Sequence, residues 1–156
     1  MKLIKIGLFL LIIVASCSAE LSDTTRDWII AFTIKHEGGY INYRGIEYNY
    51  GLSGKYYGNV RHIKLDSAWA LYRQIWTESR AKFLNDSCMA LVYFDSWVML
   101  TPTVAKSMLV NCYDPRTYLL RRLVEQVHQV NIAPYQKDNL YSWDRRMCDL
   151  FRICGE

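Results

Sequence analysis

The run of residues 35–53 constrains this chain more than any other, because it forces a helix to stop on a carboxylate. An amphipathic stretch reaches Lys35 and His36, Glu37 follows, and Gly38 and Gly39 come next. Two glycines supply the left-handed backbone conformations that end a helix at little cost. Glu37 therefore faces the negative end of the helix dipole and the orphan carbonyls of the last turn, where the ionised form of a carboxyl group is disfavoured. A carboxylic acid held in its protonated form is what a general acid requires. Residues 40–59 then mix tyrosines and β-branched residues with Gly45, Gly51, Gly54 and Gly58. That composition favours a small hairpin or an irregular lobe after the first helix.

Upstream, Lys2 and Lys5 precede an apolar run over 6–15 and small residues over 16–19. A basic end, a short apolar segment and a small-residue cleavage region make residues 1–19 a signal peptide. The run is short for a membrane span. The expected destination is export, to the periplasm, to the outer membrane through a lipid anchor, or into the medium. Val14-Ala15-Ser16-Cys17 resembles a lipobox, in which Cys17 is acylated; Cys17-Ser18-Ala19 equally fits ordinary cleavage after Ala19. The only membrane contact expected is through a lipid on Cys17. Without the leader, 17 basic and 15 acidic residues remain, a balance that suits an anionic polymer and does not indicate nucleic acid. What remains is one domain by size.

The rest of the mature chain reads as helices with short connections. Ser22 or Asp23 caps a first helix with Trp28, Ile29, Phe32 and Ile34 inward, ending at Glu37. A second helix starts near Asp66 with Leu65, Trp69, Tyr72 and Trp76 on one stripe. A third, over 89–100, carries Asp95 among Val92, Tyr93, Phe94 and Trp97, and a buried aspartate there must be paired or hydrogen-bonded. Thr101-Pro102 and Asp114-Pro115 open two more helices, the second with Leu119, Leu123 and Val127 inward. Trp143, Met147, Leu150 and Cys154 form a last apolar stripe.

The helix stop and the residues after it resemble the signature of the glycoside hydrolase 108 muramidases, phage-type lysozymes with a Glu-Gly-Gly-Tyr motif, here Glu37-Gly38-Gly39-Tyr40. Asn49-Tyr50-Gly51-Leu52-Ser53 resembles that family's Asn-Tyr-Gly-Ile-Ser, while the turn between the two motifs is shortened to residues 43–48. Ser142-Trp143-Asp144-Arg145-Arg146 resembles a closing Gly-Trp-x-x-Arg motif. The resemblance implies a mainly α, lysozyme-like fold, with residues 20–112 as the catalytic region and 113–156 as peptidoglycan-binding-like helices of the same domain. It implies cleavage of the β-1,4 bond between N-acetylmuramic acid and N-acetylglucosamine in peptidoglycan strands, with Glu37 as the general acid and no cofactor. Tyr40, Asn49 and Tyr50 are the candidate substrate-binding residues, with Asn49 and Tyr50 set against a purely local role in the loop. Glu47 is a candidate second carboxylate, set against an ordinary solvated charge. Two other classes stay open: a non-catalytic peptidoglycan-binding lipoprotein and a lytic transglycosylase, which also works with a single glutamate.

Four cysteines lie outside the leader, Cys88, Cys112, Cys148 and Cys154. In an exported chain an even set reads as disulfides rather than metal, and no Cys-x-x-Cys or His-x-x-x-His pair points to a metal site. An antiparallel pairing of the third and fourth helices predicts Cys88–Cys112. Cys148–Cys154 requires the last helix to end before Cys154, since six residues of continuous helix span about 9 Å.

Overall fold

The computed structural model describes residues 20–155; the signal-peptide and Cys17 assignments lie outside them. Ser22 caps α1 (Asp23–Glu37), its hydroxyl accepting from the Thr25 amide, and Gly38 ends the helix at φ 73°. Ile29, Ile30, Thr33 and Ile34 are the buried face. Because that face is centred on the 29/30 and 33/34 pairs, Trp28 falls on its rim and is 42% exposed, not inward as expected.

Three short antiparallel strands follow, β1 (Ile41–Tyr43), β2 (Ile46–Asn49) and β3 (Leu52–Ser53), in the spatial order β1-β2-β3. Both connections are two-residue turns. Arg44 and Gly45 stand at φ 53° and 81°, Tyr50 and Gly51 at 51° and 74°, the paired positive φ that a type I′ turn requires. Such turns match the twist of the strands they join, so the shortened segment between the two motifs closes as a tight hairpin. A single helical turn, α2 (Gly54–Tyr57), leads to α3 (Leu65–Ser79), which buries Ala68, Tyr72, Trp76 and Ser79. Leu65, in the first turn of α3, is exposed rather than inward.

The centre of the molecule is α4 (Ser87–Met99), buried at every residue from 89 to 96. A helix apolar all round belongs in the middle of a bundle, and α4 packs on α1, α3, α5 (Pro102–Leu109), α6 (Pro115–Ile132) and α7 (Leu140–Cys154). Thr101 and Asp114 cap α5 and α6, each with a proline opening the helix. One core cluster runs from Ile29 in α1 to Cys154 in α7, so the C-terminal helices share it with the N-terminal ones. The mainly helical fold with a small sheet after the first helix is the one expected.

Two expectations are corrected. The disulfide joins Cys88 to Cys154, with a Cα separation of 5.3 Å, while Cys112 is buried and free and Cys148 is exposed and free. At 1.5 Å per residue, α5 rises only about 12 Å against about 20 Å for α4, so the returning helix stops short of Cys88. Helix α7 also continues to Cys154, which rules out a Cys148–Cys154 bridge. Second, α6 turns Tyr118, Leu119, Arg122 and Gln126 inward and leaves Val127 59% exposed. An unpaired buried Asp95 costs several kcal/mol, more than the roughly 1.5–3 kcal/mol at stake in exposing a valine, and it is Arg122 that pairs with it.

Candidate functional site

Helix α1 delivers two polar groups to one face, a turn apart: Thr33, fully buried, and Glu37, whose side chain is 16% exposed. Across from them α4 presents Asp95, α6 Arg122 and α7 Arg146, all buried. The four charged groups form a row. Arg122 donates from Nη1 to Asp95 Oδ2 at 2.7 Å and to Ser96 Oγ at 3.2 Å. Arg146 grips Asp95 from the other side through Nε, at 3.0 and 2.9 Å, and through Nη2. Its remaining nitrogen, Nη1, donates to Glu37 Oε1 at 2.6 Å. Thr33 Oγ1 adds a bond to Asp95 Oδ1 at 3.3 Å. Two guanidiniums and two carboxylates make a neutral set, the condition under which burying four charges is tolerable.

The electrostatics follow from that order. Burial pushes the Asp95 carboxyl up, but Arg146 and Arg122 outweigh it and hold it at about 2. Burial alone would lower the ionisation of Arg146, yet the charges of Asp95 and Glu37 leave it raised. For Arg122, which among the described residues meets one carboxylate, Asp95, burial wins and the ionisation is lowered. Tyr72 is kept a neutral phenol, by burial first and by the charge of Glu37 second, and its hydroxyl donates to the Tyr50 carbonyl at 2.8 Å.

Glu37 is also fixed from the sheet side. Gly51, in the second turn, approaches it so closely that a Cβ there would stand 2.6 Å from Glu37 Cγ and Oε2 and 2.7 Å from Cδ. The Glu37-Gly38-Gly39 and Asn49-Tyr50-Gly51 segments are thus one site, joined by a contact that only glycine permits. Oε1 accepts from Arg146, while Oε2 has no hydrogen-bond partner among the described residues.

Two cavities, each of about 560 Å³, share Ile46 and Tyr48 of β2. Gly51 lines the first, along with Tyr56, Tyr57, Tyr72 and Trp97. Glu37 and Arg146 line the second, along with Tyr43, Arg44, Tyr135 and Trp143. Glu37 thus lines the second cavity, and Gly51, which packs against it, lines the first. Strand alternation explains which side chains reach the cavities: Ile46 and Tyr48 point inward, so Glu47 between them points out.

Of the sequence candidates among the described residues, only Glu37 lines either cavity. Glu47 accepts from the Tyr40 hydroxyl at 2.8 Å and lies 3.6 Å from Arg61 Nε, which also donates to Tyr40 at 3.3 Å. Asn49 is buried and spends its amide on the carbonyls of Val60 and Arg61, at 3.0 and 3.4 Å. The Tyr50 side chain packs against the core. Asn49 and Tyr50 therefore hold the loop that brings Gly51 to Glu37. Arg146 enters the sequence reading only as the last residue of the Ser142-Trp143-Asp144-Arg145-Arg146 motif, with no role at Glu37; a cation interrupting the apolar stripe between Trp143 and Met147 is the signal that marks it. Among the described residues, no group of three metal-ligating side chains comes together. Compared with protein-family models, with curated proteins and with solved structures, the chain matches none.

Proposed function

We propose that the chain is a peptidoglycan hydrolase of the muramidase type, similar to the glycoside hydrolase 108 enzymes, with Glu37 as its general acid. The observation that carries this reading is the place of Glu37: a half-buried carboxylate, anchored through one oxygen, lining one cavity and packed against Gly51, which lines a second. Such a pair of cavities suits a polymer that continues on both sides of the bond to be cut, and its tyrosines and tryptophans offer faces on which sugar rings stack. Glu37, paired with Arg146 before the strand binds, takes up a proton on Oε2 and gives it to the glycosidic oxygen as the bond to the anomeric carbon breaks, and the cationic transition state develops beside the carboxylate. Water adds to the anomeric carbon and returns a proton to Glu37. Arg146 keeps Oε1 in place through the cycle, which is positioning rather than proton transfer.

One observation favours a second reading, the lytic transglycosylase. Among the described residues, Glu37 is the sole carboxylate lining its cavity, whereas most glycoside hydrolases pair two. A lone glutamate suffices when the sugar's own C6 hydroxyl attacks the anomeric carbon, because Glu37 can take that hydroxyl's proton after protonating the leaving oxygen. Digestion of peptidoglycan by the purified protein, with mass analysis of the products, decides between them. Hydrolysis leaves reducing ends, and transglycosylation leaves anhydro ends lighter by one water. Intact strands after prolonged incubation would contradict both.

A further inference from the structure

We propose that Arg44 is the receptor for a carboxylate carried by the glycan on the Tyr135 side of Glu37, an inference that rests on the glycan-cleaving reading of the groove. Arg44 stands at the tip of the β1–β2 hairpin and lines the Glu37 cavity. Its guanidinium lies 4.3 Å from the centre of the Tyr135 ring and 5.4 Å from that of Tyr43. Tyr135 belongs to the 3-10 turn Pro134–Asn139, so the contact spans the cleft from the sheet to the helices.

The other basic groups of this cavity are committed. His36 lies 3.3 Å from Asp149, and Arg146 is shared by Asp95 and Glu37. Arg44 has no carboxylate partner among the described residues; its contacts are the two rings. Stacking occupies the faces of a guanidinium and leaves its in-plane N–H donors unspent, in the fork geometry that matches a carboxylate. The rings also hold the side chain before any ligand arrives, which removes part of the ordering cost of binding. Next door, Lys35 and Arg145 against the single carboxylate of Asp149 line a cavity of about 240 Å³ that shares His36 and Ser142 with the larger one, an excess of positive charge. On the other side of Glu37, Lys55 shares its cavity with Glu78, so that half has no excess charge. The acidic substituent of the strand is thereby directed to the Arg44 half, which sets the direction in which the strand lies.

The test is calorimetric binding in a Glu37→Gln background, so that nothing is cut, to three soluble probes. These are N-acetylglucosaminyl-N-acetylmuramoyl oligomers with stem peptides, the same oligomers stripped to the lactyl carboxylate, and neutral N-acetylglucosamine oligomers. Arg44→Gln should weaken acidic probes by about tenfold or more, the scale of a lost charge-assisted hydrogen bond, and change neutral ones by less than about twofold. Arg44→Lys, which keeps the charge without the fork, should recover part of the loss. If stripping the stems abolishes the Arg44 dependence, the carboxylate belongs to the stem peptide; dependence confined to the stripped oligomers assigns it to the free lactyl carboxylate, which an attached stem holds as an amide. Equal weakening on acidic and neutral probes, or none on either, overturns the proposal, the former making Arg44 a brace. Acidic probes that bind through Arg44 but are not cleaved by the unsubstituted protein leave the proposal standing and overturn the hydrolase reading. Cleavage with binding indifferent to Arg44 does the reverse. Failure of all three probes to bind overturns both.

Discussion

On the helical wall of the groove, Glu37, Asp95, Arg146 and Arg122 form their bonds away from water; on the outer face of the sheet, Glu47, Tyr40 and Arg61 form bonds of the same kinds in contact with it. Arg146 is 4% exposed where it meets Glu37, and Arg61 is 56% exposed where it meets Glu47. The buried set is drawn from α1, α4, α6 and α7, whose packing decides whether it forms. The exposed set rests on a hairpin and one loop, and water competes for each of its bonds. A buried charge left without its partner is costly, whereas an exposed pair contributes about 0–1 kcal/mol. Two carboxylates separated by ten residues are thus subject to different rules: Glu37 is held in one place by the core, and Glu47 is a surface group.

The sharpest way to break this comparison is Asp95→Asn, which keeps the shape and leaves Arg122 and Arg146 buried with one anion fewer. A loss of about 3–5 kcal/mol in urea unfolding is expected, and a loss near that of a surface substitution would remove the distinction between the two sets. Gly51→Ala addresses the contact with Glu37 itself. A Cβ displaces the Glu37 carboxylate, and a misplacement of about 1 Å at a reacting group costs about 100-fold in turnover. The left-handed φ adds about 1–2 kcal/mol of instability, so kcat should fall far more than the modest change in stability accounts for.

Acid should act on the buried set and on His36 beside it in two stages. Burial first, with Arg146 second, depresses the ionisation of His36 below its ordinary 6.5, so as pH falls below about 6.5 the unfolded chain takes up a proton that the folded chain refuses, and stability declines. Asp95 is held at about 2 against an ordinary 3.8. Its contribution is complete above about 3.8 and disappears as pH falls from there toward 2. Urea midpoints across pH should show both declines, with the lower one missing in Asp95→Asn. The smallest effect belongs to the exposed set. Glu47→Gln should cost under about tenfold in turnover, with stability changed by no more than about 1 kcal/mol.

Much of this wall was legible in the sequence, and some was not, for reasons that differ by residue. The end of α1 at Glu37 follows from local backbone chemistry, two glycines after an amphipathic run. Helix starts at Ser22, Thr101 and Asp114 follow from capping oxygens with the right spacing. Asp95 announced a buried partner because it lies among apolar neighbours, but no local pattern says which cation it takes. Arg122 and Arg146 come 27 and 51 residues later, and only the crossing of α6 and α7 over α4 selects them. The Cys88–Cys154 bridge, 66 residues apart, is beyond local pattern for the same reason. Glu47 could be placed only once the register was known, since a one-residue slip in β2 would have turned it into the groove.

The central claim is that Glu37 moves a proton and does not merely bind. Turnover of peptidoglycan by Glu37→Gln, measured alongside its affinity for soluble strands, tests this most directly. The substitution keeps an oxygen for Arg146 and removes the acidic proton. General acid catalysis contributes about 10²–10⁴-fold, so turnover should fall by at least that order while affinity stays within a few-fold. Full turnover in Glu37→Gln would contradict the claim.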